Sequence, residues 1–180
     1  MRFTETKLKG AFVIEVNELK DSRGFFGRLW CEKEMKEHGL KTDLRQSNVS
    51  LSLKAGTVRG MHFQRSPYPE TKLVRCTKGA VYDVIVYLRP ESPTYKQWVG
   101  VELSEENHKM IYVPEYFAHG FITLKDNSEV YYLVTEFYHQ NKEGGYRWND
   151  PAFNIDWPIE MTEISDKDFN HPDFSPNDRI

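Results

Sequence analysis

The sequence predicts an all-β fold, a sandwich or jelly-roll barrel, and three observations predict it. Short runs of residues alternate polar and apolar, or are rich in β-branched and aromatic side chains, along most of the chain. Turn-forming clusters punctuate these runs at the spacing expected of antiparallel strands. Only one convincing helix precedes the tail.

Taken in order, residues 1–10 alternate polar and charged side chains without an apolar core, and the first predicted strand is 11–16. The helix is predicted over 32–38 (Glu32-Lys33-Glu34-Met35-Lys36-Glu37-His38), closed by Gly39 as a C-terminal cap. Its polar composition predicts weak packing. Strands follow at 46–53 and 57–63, divided by Lys54-Ala55-Gly56, then at 72–76 and 80–88, divided by Lys78-Gly79. Arg89-Pro90-Glu91-Ser92-Pro93 leads to 97–103, and Ser104-Glu105-Glu106-Asn107 leads to 109–113. The last predicted strands, 119–124 and 129–136, flank Lys125-Asp126-Asn127. After Trp148-Asn149-Asp150-Pro151 the composition turns to Asp, Pro and Asn, with Trp157-Pro158 and Ser165-Asp166-Lys167-Asp168 predicting a tail laid over the barrel that can cap a cavity.

Composition narrows the function. A chain of 180 residues with 14% aromatics can bury one substantial core, and one domain over 1–180 is expected. The 24 basic and 27 acidic residues leave a net charge of −3, so neither a nucleic-acid footprint nor a polybasic membrane segment is present. Cys31 and Cys76 form no CxxC pair and read as reduced thiols, which fits a cytoplasmic protein. No run approaches the roughly 20 apolar residues of a membrane span. The expected partner is a small molecule.

The most informative segment is Arg59-Gly60-Met61-His62-Phe63-Gln64, followed by Lys72-Leu73-Val74-Arg75. Within paired strands it places an imidazole, an ammonium and two guanidinium groups, and such cations are not buried cheaply without an anionic partner. A ligand phosphate would supply that partner, and His62 is either a satisfied core group or a base. Asp83 interrupts the apolar run 80–88, so it is either turned inward and paired or turned outward and solvated. His119, within Phe117-Ala118-His119-Gly120-Phe121, suits a ligand contact or a hydrogen bond to Asp83 equally well. Of Tyr131 and Tyr132, alternation turns one ring inward, and a phenol across a cavity from a histidine would set an acid against a base. With no His-x-His pair the metal signal is weak, and no phosphate-loop or dinucleotide fingerprint occurs.

At Asp21 to Phe26, Gln46-Ser47-Asn48, Arg59 to Gln64, Lys72 to Arg75, Phe117 to Phe121, Arg147 to Pro151 and Ser165 to Asp168, the chain resembles the dTDP-4-dehydrorhamnose 3,5-epimerases of the cupin superfamily. The resemblance implies a cupin-type jelly-roll homodimer that epimerises a nucleotide-diphosphate 4-keto-6-deoxy sugar at carbons 3 and 5 without metal or organic cofactor. It assigns His62 as general base, Asp168 as its partner, Lys72 to the enolate and Tyr132 to proton return. It assigns Arg59, Arg23, His119, Tyr138 and Lys167 to the diphosphate or sugar, with Arg23 supplied by the partner subunit, and Gln46 and Asn48 to the nucleotide end. Phe26, Asp83 and Arg28, which stands where the family usually has Glu, complete the expected substrate-binding set. The alternatives left open are a CDP- or GDP-linked substrate, epimerisation at one carbon, a metal-dependent cupin, and a module that binds a sugar nucleotide without catalysis.

Overall fold

The computed structural model describes residues 1–178 and 180. The chain opens with strands β1 (Arg2–Glu5) and β2 (Phe12–Glu15), a small hairpin of β3 (Leu19–Asp21) and β4 (Gly24–Phe26), and helix α1 (Glu32–Glu37). The body is built from β5 (Gln46–Ser52), β6 (Thr57–Gln64), β7 (Lys72–Lys78), β8 (Ala80–Tyr87) and β9 (Trp98–Ser104). It continues through β10 (Met110–Val113), β11 (Phe117–Thr123) and β12 (Ser128–Val134). The tail adds β13 (Glu143–Gly145), β14 (Glu163–Ile164) and helix α2 (Asp166–Phe169).

Two sheets face each other. One runs β1-β2-β10-β7-β12-β5 and the other β13-β6-β11-β8-β9, with β14 joining β6 in parallel. Alternation along each strand decides what each face carries. Val74, Cys76, Ile111 and Val130 of the first sheet meet Val81, Ile85, Leu103, Phe117 and Phe121 of the second in the central core. The intervening residues of β8, Val84 and Val86, point outward into a second cluster with Met61, Phe63, Tyr146 and Phe153, which the tail closes with Trp157 and Phe174. The run 80–88 is almost wholly apolar because both of its faces are covered. The jelly roll and its covering tail match the sequence expectation.

Helix α1 corrects one expectation. It is polar around most of its circumference, but Met35 is buried against Ile14, Leu73, Met110 and Tyr112 on the outer face of the first sheet. Its end is a Schellman motif, in which Gly39 (φ +71°) donates to Lys36 O at 3.0 Å and Leu40 donates to Met35 O at 3.0 Å. Leu40 then packs beside Met35 in the same cluster. Strand β1 falls where no strand was expected, because as an edge strand it buries little and therefore carries little apolar pattern.

A bulge in β6 prepares the site. His119 pairs with His62 and Phe121 with Arg59, so two steps along β11 match three along β6. The extra residue lets Arg59 and His62, one odd-numbered and one even, reach the same interior face. Only glycine serves at the bulge, since Gly60 has φ +133° and a Cβ there would meet the Gly120 Cα at 2.5 Å.

Candidate active site

His62, Arg59, His119 and Phe121 of the second sheet and Lys72, Tyr132 and Ser50 of the first line a cavity of about 140 Å³, closed from the tail by Asp168. Strand pairing explains the first wall. Tyr132 lies between Asn48 of β5 and Val74 of β7, and Tyr131 pairs with Val49 and Arg75 on the opposite face. Alternation therefore turns Tyr132 inward, as one of the two tyrosines was expected to turn, and Leu133 packs outward beneath helix α1.

His62 gets its partner from 106 positions downstream. Parallel pairing of β14 with β6 delivers helix α2, whose N-cap Ser165 accepts from the Asp168 N–H at 3.1 Å. Asp168, 4% exposed, accepts from His62 Nε2 at 2.7 Å through Oδ1 and from the Gly60 N–H at 3.1 Å through Oδ2. Burial pushes the Asp168 carboxyl up, but the neighbouring imidazole N–H groups of His171, 3.6 Å away, and of His62, hydrogen-bonded at 2.7 Å, outweigh it and hold the group well below the usual carboxylate range. Burial also lowers the pKa of His62, against the raising effect of Asp168. At neutral pH the pair is thus a carboxylate and a neutral imidazole whose proton sits on Nε2. Nδ1 keeps a lone pair, as a base requires.

Lys72 stays charged. Burial works against it, but Glu70, 3.1 Å away, reverses the balance and raises its pKa, with smaller help from Tyr132 and Asp83. Arg59 spends its donors on neutral acceptors, Ser52 Oγ and Leu51 O, both at 3.1 Å, so its charge remains for an anion. His119 settles an open choice by doing both things expected of it: it lines the cavity, and its Nε2 sits 2.9–3.0 Å from the two oxygens of Asp83. Asp83 itself is 0% exposed, behind His119. It reaches the cavity only through His119, because an unpaired carboxylate on an interior face would be too costly.

Other expected residues lie further out. The Gln46 side-chain Oε1 accepts from the Tyr138 N–H at 2.8 Å, and the Tyr138 hydroxyl donates to Glu143 at 2.8 Å. Lys167 Nζ pairs with the same Glu143 oxygen at 2.6 Å. Sequence reasoning missed Glu143, which binds these two rim residues together, and it missed His171, whose ring lies 5.7 Å from that of His62. The only signal for His171 was its place three residues after Asp168. Asn48, half-buried on β5, shares the inward face of Ser50 and Ser52. Arg23 is exposed at the turn of the β3–β4 hairpin and pairs with Asp21 at 2.6 Å, away from the cavity of its own chain. Phe26 and Arg28 line a separate cavity of about 360 Å³ beside Met1, Asn17 and Glu34.

An imidazole on one sheet and a phenol and an ammonium on the other, around one cavity with spare positive charge at its edge, are the groups that acid–base isomerisation of an anionic substrate needs, and they are set in a jelly roll of the isomerase class. The family model described as dTDP-4-dehydrorhamnose 3,5-epimerase matches residues 5–176. A dTDP-4-dehydrorhamnose 3,5-epimerase of Methanothermobacter thermautotrophicus is 45% identical over 172 residues, covering 94% of this chain and 92% of its own. The Bacillus anthracis dTDP-4-dehydrorhamnose 3,5-epimerase, solved with TDP and PPi bound, superposes with a TM-score of 0.93 at 43% identity, covering 96% of this chain and 99% of that one. The Legionella pneumophila dTDP-6-deoxy-D-glucose-3,5-epimerase, solved in complex with dTDP-4-keto-L-rhamnose, has a TM-score of 0.91 at 36% identity, covering 98% and 94%. The chain belongs to the dTDP-4-dehydrorhamnose 3,5-epimerase family.

Proposed function

We propose that the protein converts dTDP-4-dehydro-6-deoxy-D-glucose to dTDP-4-dehydro-L-rhamnose by inverting carbons 3 and 5. The observation that carries the reading is the His62–Asp168 pair, 2.7 Å apart on one sheet, across the cavity from Lys72 and Tyr132 on the other. His62 Nδ1 takes the proton from the carbon beside the 4-keto group. The electron pair moves onto the keto oxygen, and the Lys72 ammonium stabilises the enolate that forms. The Tyr132 hydroxyl then gives a proton to the opposite face of that carbon and is reprotonated from solvent, while His62 releases the proton it took. One round at each carbon changes two centres, with no net loss of atoms or electrons.

Arg59, Lys167 and Tyr138 suit the diphosphate, which guanidinium and ammonium donors match in charge, and Gln46 and Asn48 suit the nucleotide end. His119, held by Asp83, presents its ring to the sugar. The protein acts as a homodimer in which Arg23 reaches the partner's cavity. The exposed Leu19 and Phe26 beside that hairpin, and Val49, Leu51 and Leu53 on and just after β5, support such an interface. No helix among the described residues is long and apolar enough to cross a membrane, and Cys31 and Cys76 are free, in keeping with a cytoplasmic enzyme.

The test is NMR in D2O with dTDP-4-dehydro-6-deoxy-D-glucose, following deuterium at carbons 3 and 5, with His62→Ala as control. Exchange at both carbons that disappears in the control is expected. Exchange at carbon 3 alone would make it a single-site epimerase, and none at either would turn the search to CDP- and GDP-linked substrates.

A further inference from the structure

His171 has no part in the proposed reaction, yet it sits where it changes what the dyad can bind. It follows α2 and lies against Gly145 of β13, so closely that a Cβ on that glycine would meet its Nε2 at 2.4 Å. Its Nε2 is buried, has no hydrogen-bond partner and points at Asp168, 3.6 Å from Oδ1. His62 Nε2 lies 2.7 Å from the same oxygen, and one donor atom from each of the three residues falls within 4.8 Å of the others. Ligands on a tetrahedral zinc ion, with arms of about 2.0–2.1 Å, stand about 3.3 Å apart, so small side-chain rotations would seat an ion here. The donor types also fit, since two imidazoles and a carboxylate with one position left open make a transition-metal set rather than a site for Mg²⁺ or Ca²⁺.

We propose that His62, Asp168 and His171 form a zinc-class site, and that occupying it switches the general base off. Coordination through His62 Nε2 uses that nitrogen's lone pair, so the ring proton must move to Nδ1. Nδ1 is the nitrogen that would take the substrate's proton, and once it carries a hydrogen it can only donate. Asp168 is simultaneously diverted from the imidazole to the ion. The metal is thus an inhibitor of the dyad and takes no part in turnover. The binding claim stands on geometry alone; the inhibition claim rests on the role proposed for His62.

The test begins with protein stripped by a chelator and titrated with Co²⁺, whose visible absorption reports low-coordinate binding, and with Zn²⁺ by calorimetry. One equivalent of each is expected to bind. His171→Phe keeps a ring against Gly145 but removes the ligand, and should weaken both metals by more than the roughly 10–100-fold that loss of an outer partner costs. Each protein is compared with its own metal-free rate: one equivalent of Zn²⁺ should stop the wild type and leave the rate of His171→Phe unchanged. His171→Asn and Asp168→Ala, each checked for folding by circular dichroism, supply independent losses of a ligand. No stoichiometric uptake, or equal uptake by wild type and His171→Phe, overturns the site. Uptake that depends on His171 in a protein with no epimerase activity would leave the site standing and refute the proposed function instead.

Discussion

Replacing Asp168 with Asn should cost about three orders of magnitude in kcat while leaving the fold intact. The side chain keeps its shape and loses its charge, and two separate arguments bear on the size of the effect. In the first, the imidazolium formed on proton abstraction loses a carboxylate that Asp168 holds 2.7 Å from its Nε2. With about 4 Å between charge centres and an effective dielectric of about 20, that interaction is worth about 4 kcal/mol, or about a thousand-fold in rate. Both groups are largely buried, so solvent screening does little to reduce it. In the second, the Gly60 N–H, which now donates to Asp168 Oδ2 at 3.1 Å, will demand the one oxygen the amide retains. The amide NH2 must then face His62 Nε2, which makes that nitrogen an acceptor and moves the ring proton to Nδ1. The same tautomer reversal at a serine-protease histidine costs about 10⁴. The assay is the rate of deuterium entry at carbons 3 and 5, alongside a thermal melt. A folded Asp168→Asn protein within about ten-fold of wild type would refute the dyad.

The remaining predictions concern pH, the enolate, the interface and the bulge. Because the pKa of His62 is lowered in the folded protein, the acid limb of kcat/KM should fall below the ordinary histidine value near 6.5, and a pH–rate profile whose limb lies above it would contradict this. The same lowering, together with that of Asp168, means that the unfolded chain binds more protons in acid. Stability should therefore decline first as pH falls below the unfolded histidine pKa, and further below about 4 as the unfolded carboxyl protonates; melts at stepped pH will check this. Lys72→Met should lower kcat by about 10²–10³, the usual cost of losing an oxyanion donor, and should also lower the melting temperature because Glu70 is left unpaired. If Arg23 serves the partner's cavity, mixing inactive His62→Ala and Arg23→Ala subunits should restore about a quarter of wild-type activity, through heterodimers with one intact site; recovery of none would place Arg23 elsewhere. Gly60→Ala should lower the melting temperature by about 5–10 °C, from roughly 2–3 kcal/mol of strain and clash.

The core strands were legible because each has at least one covered face, and a covered face leaves either an alternating or an apolar run. The turn clusters and Gly39 fixed where those runs stop. Strands β1, β3, β4, β13 and β14 are two to four residues long and lie at edges or in the small hairpin, where burial is too slight to mark the sequence. The same logic divides the site. His62, Lys72 and Asp83 stood out as polar or charged residues in strands that should bury them, and the His119–Asp83 bond was one of two readings the residues allowed. The pairing of Asp168 with His62 was reached only through family resemblance, since no local pattern reveals a contact across 106 positions. Glu143 gave no pattern and His171 only its spacing from Asp168, because each meets its neighbours only in the folded tail. For Asp83 the strand pattern left open whether the side chain turns inward, and no local pattern shows how deep an inward side chain then lies.

The parallel pairing of β14 with β6 also orders events in time. A ribosome adding about 5–20 residues per second needs roughly 5–20 s to travel from His62 to Asp168. The barrel strands end with β12 at Val134, so a chain clipped between β12 and α2 holds the histidine without its carboxylate. Chemical competence arrives only with α2, late in synthesis.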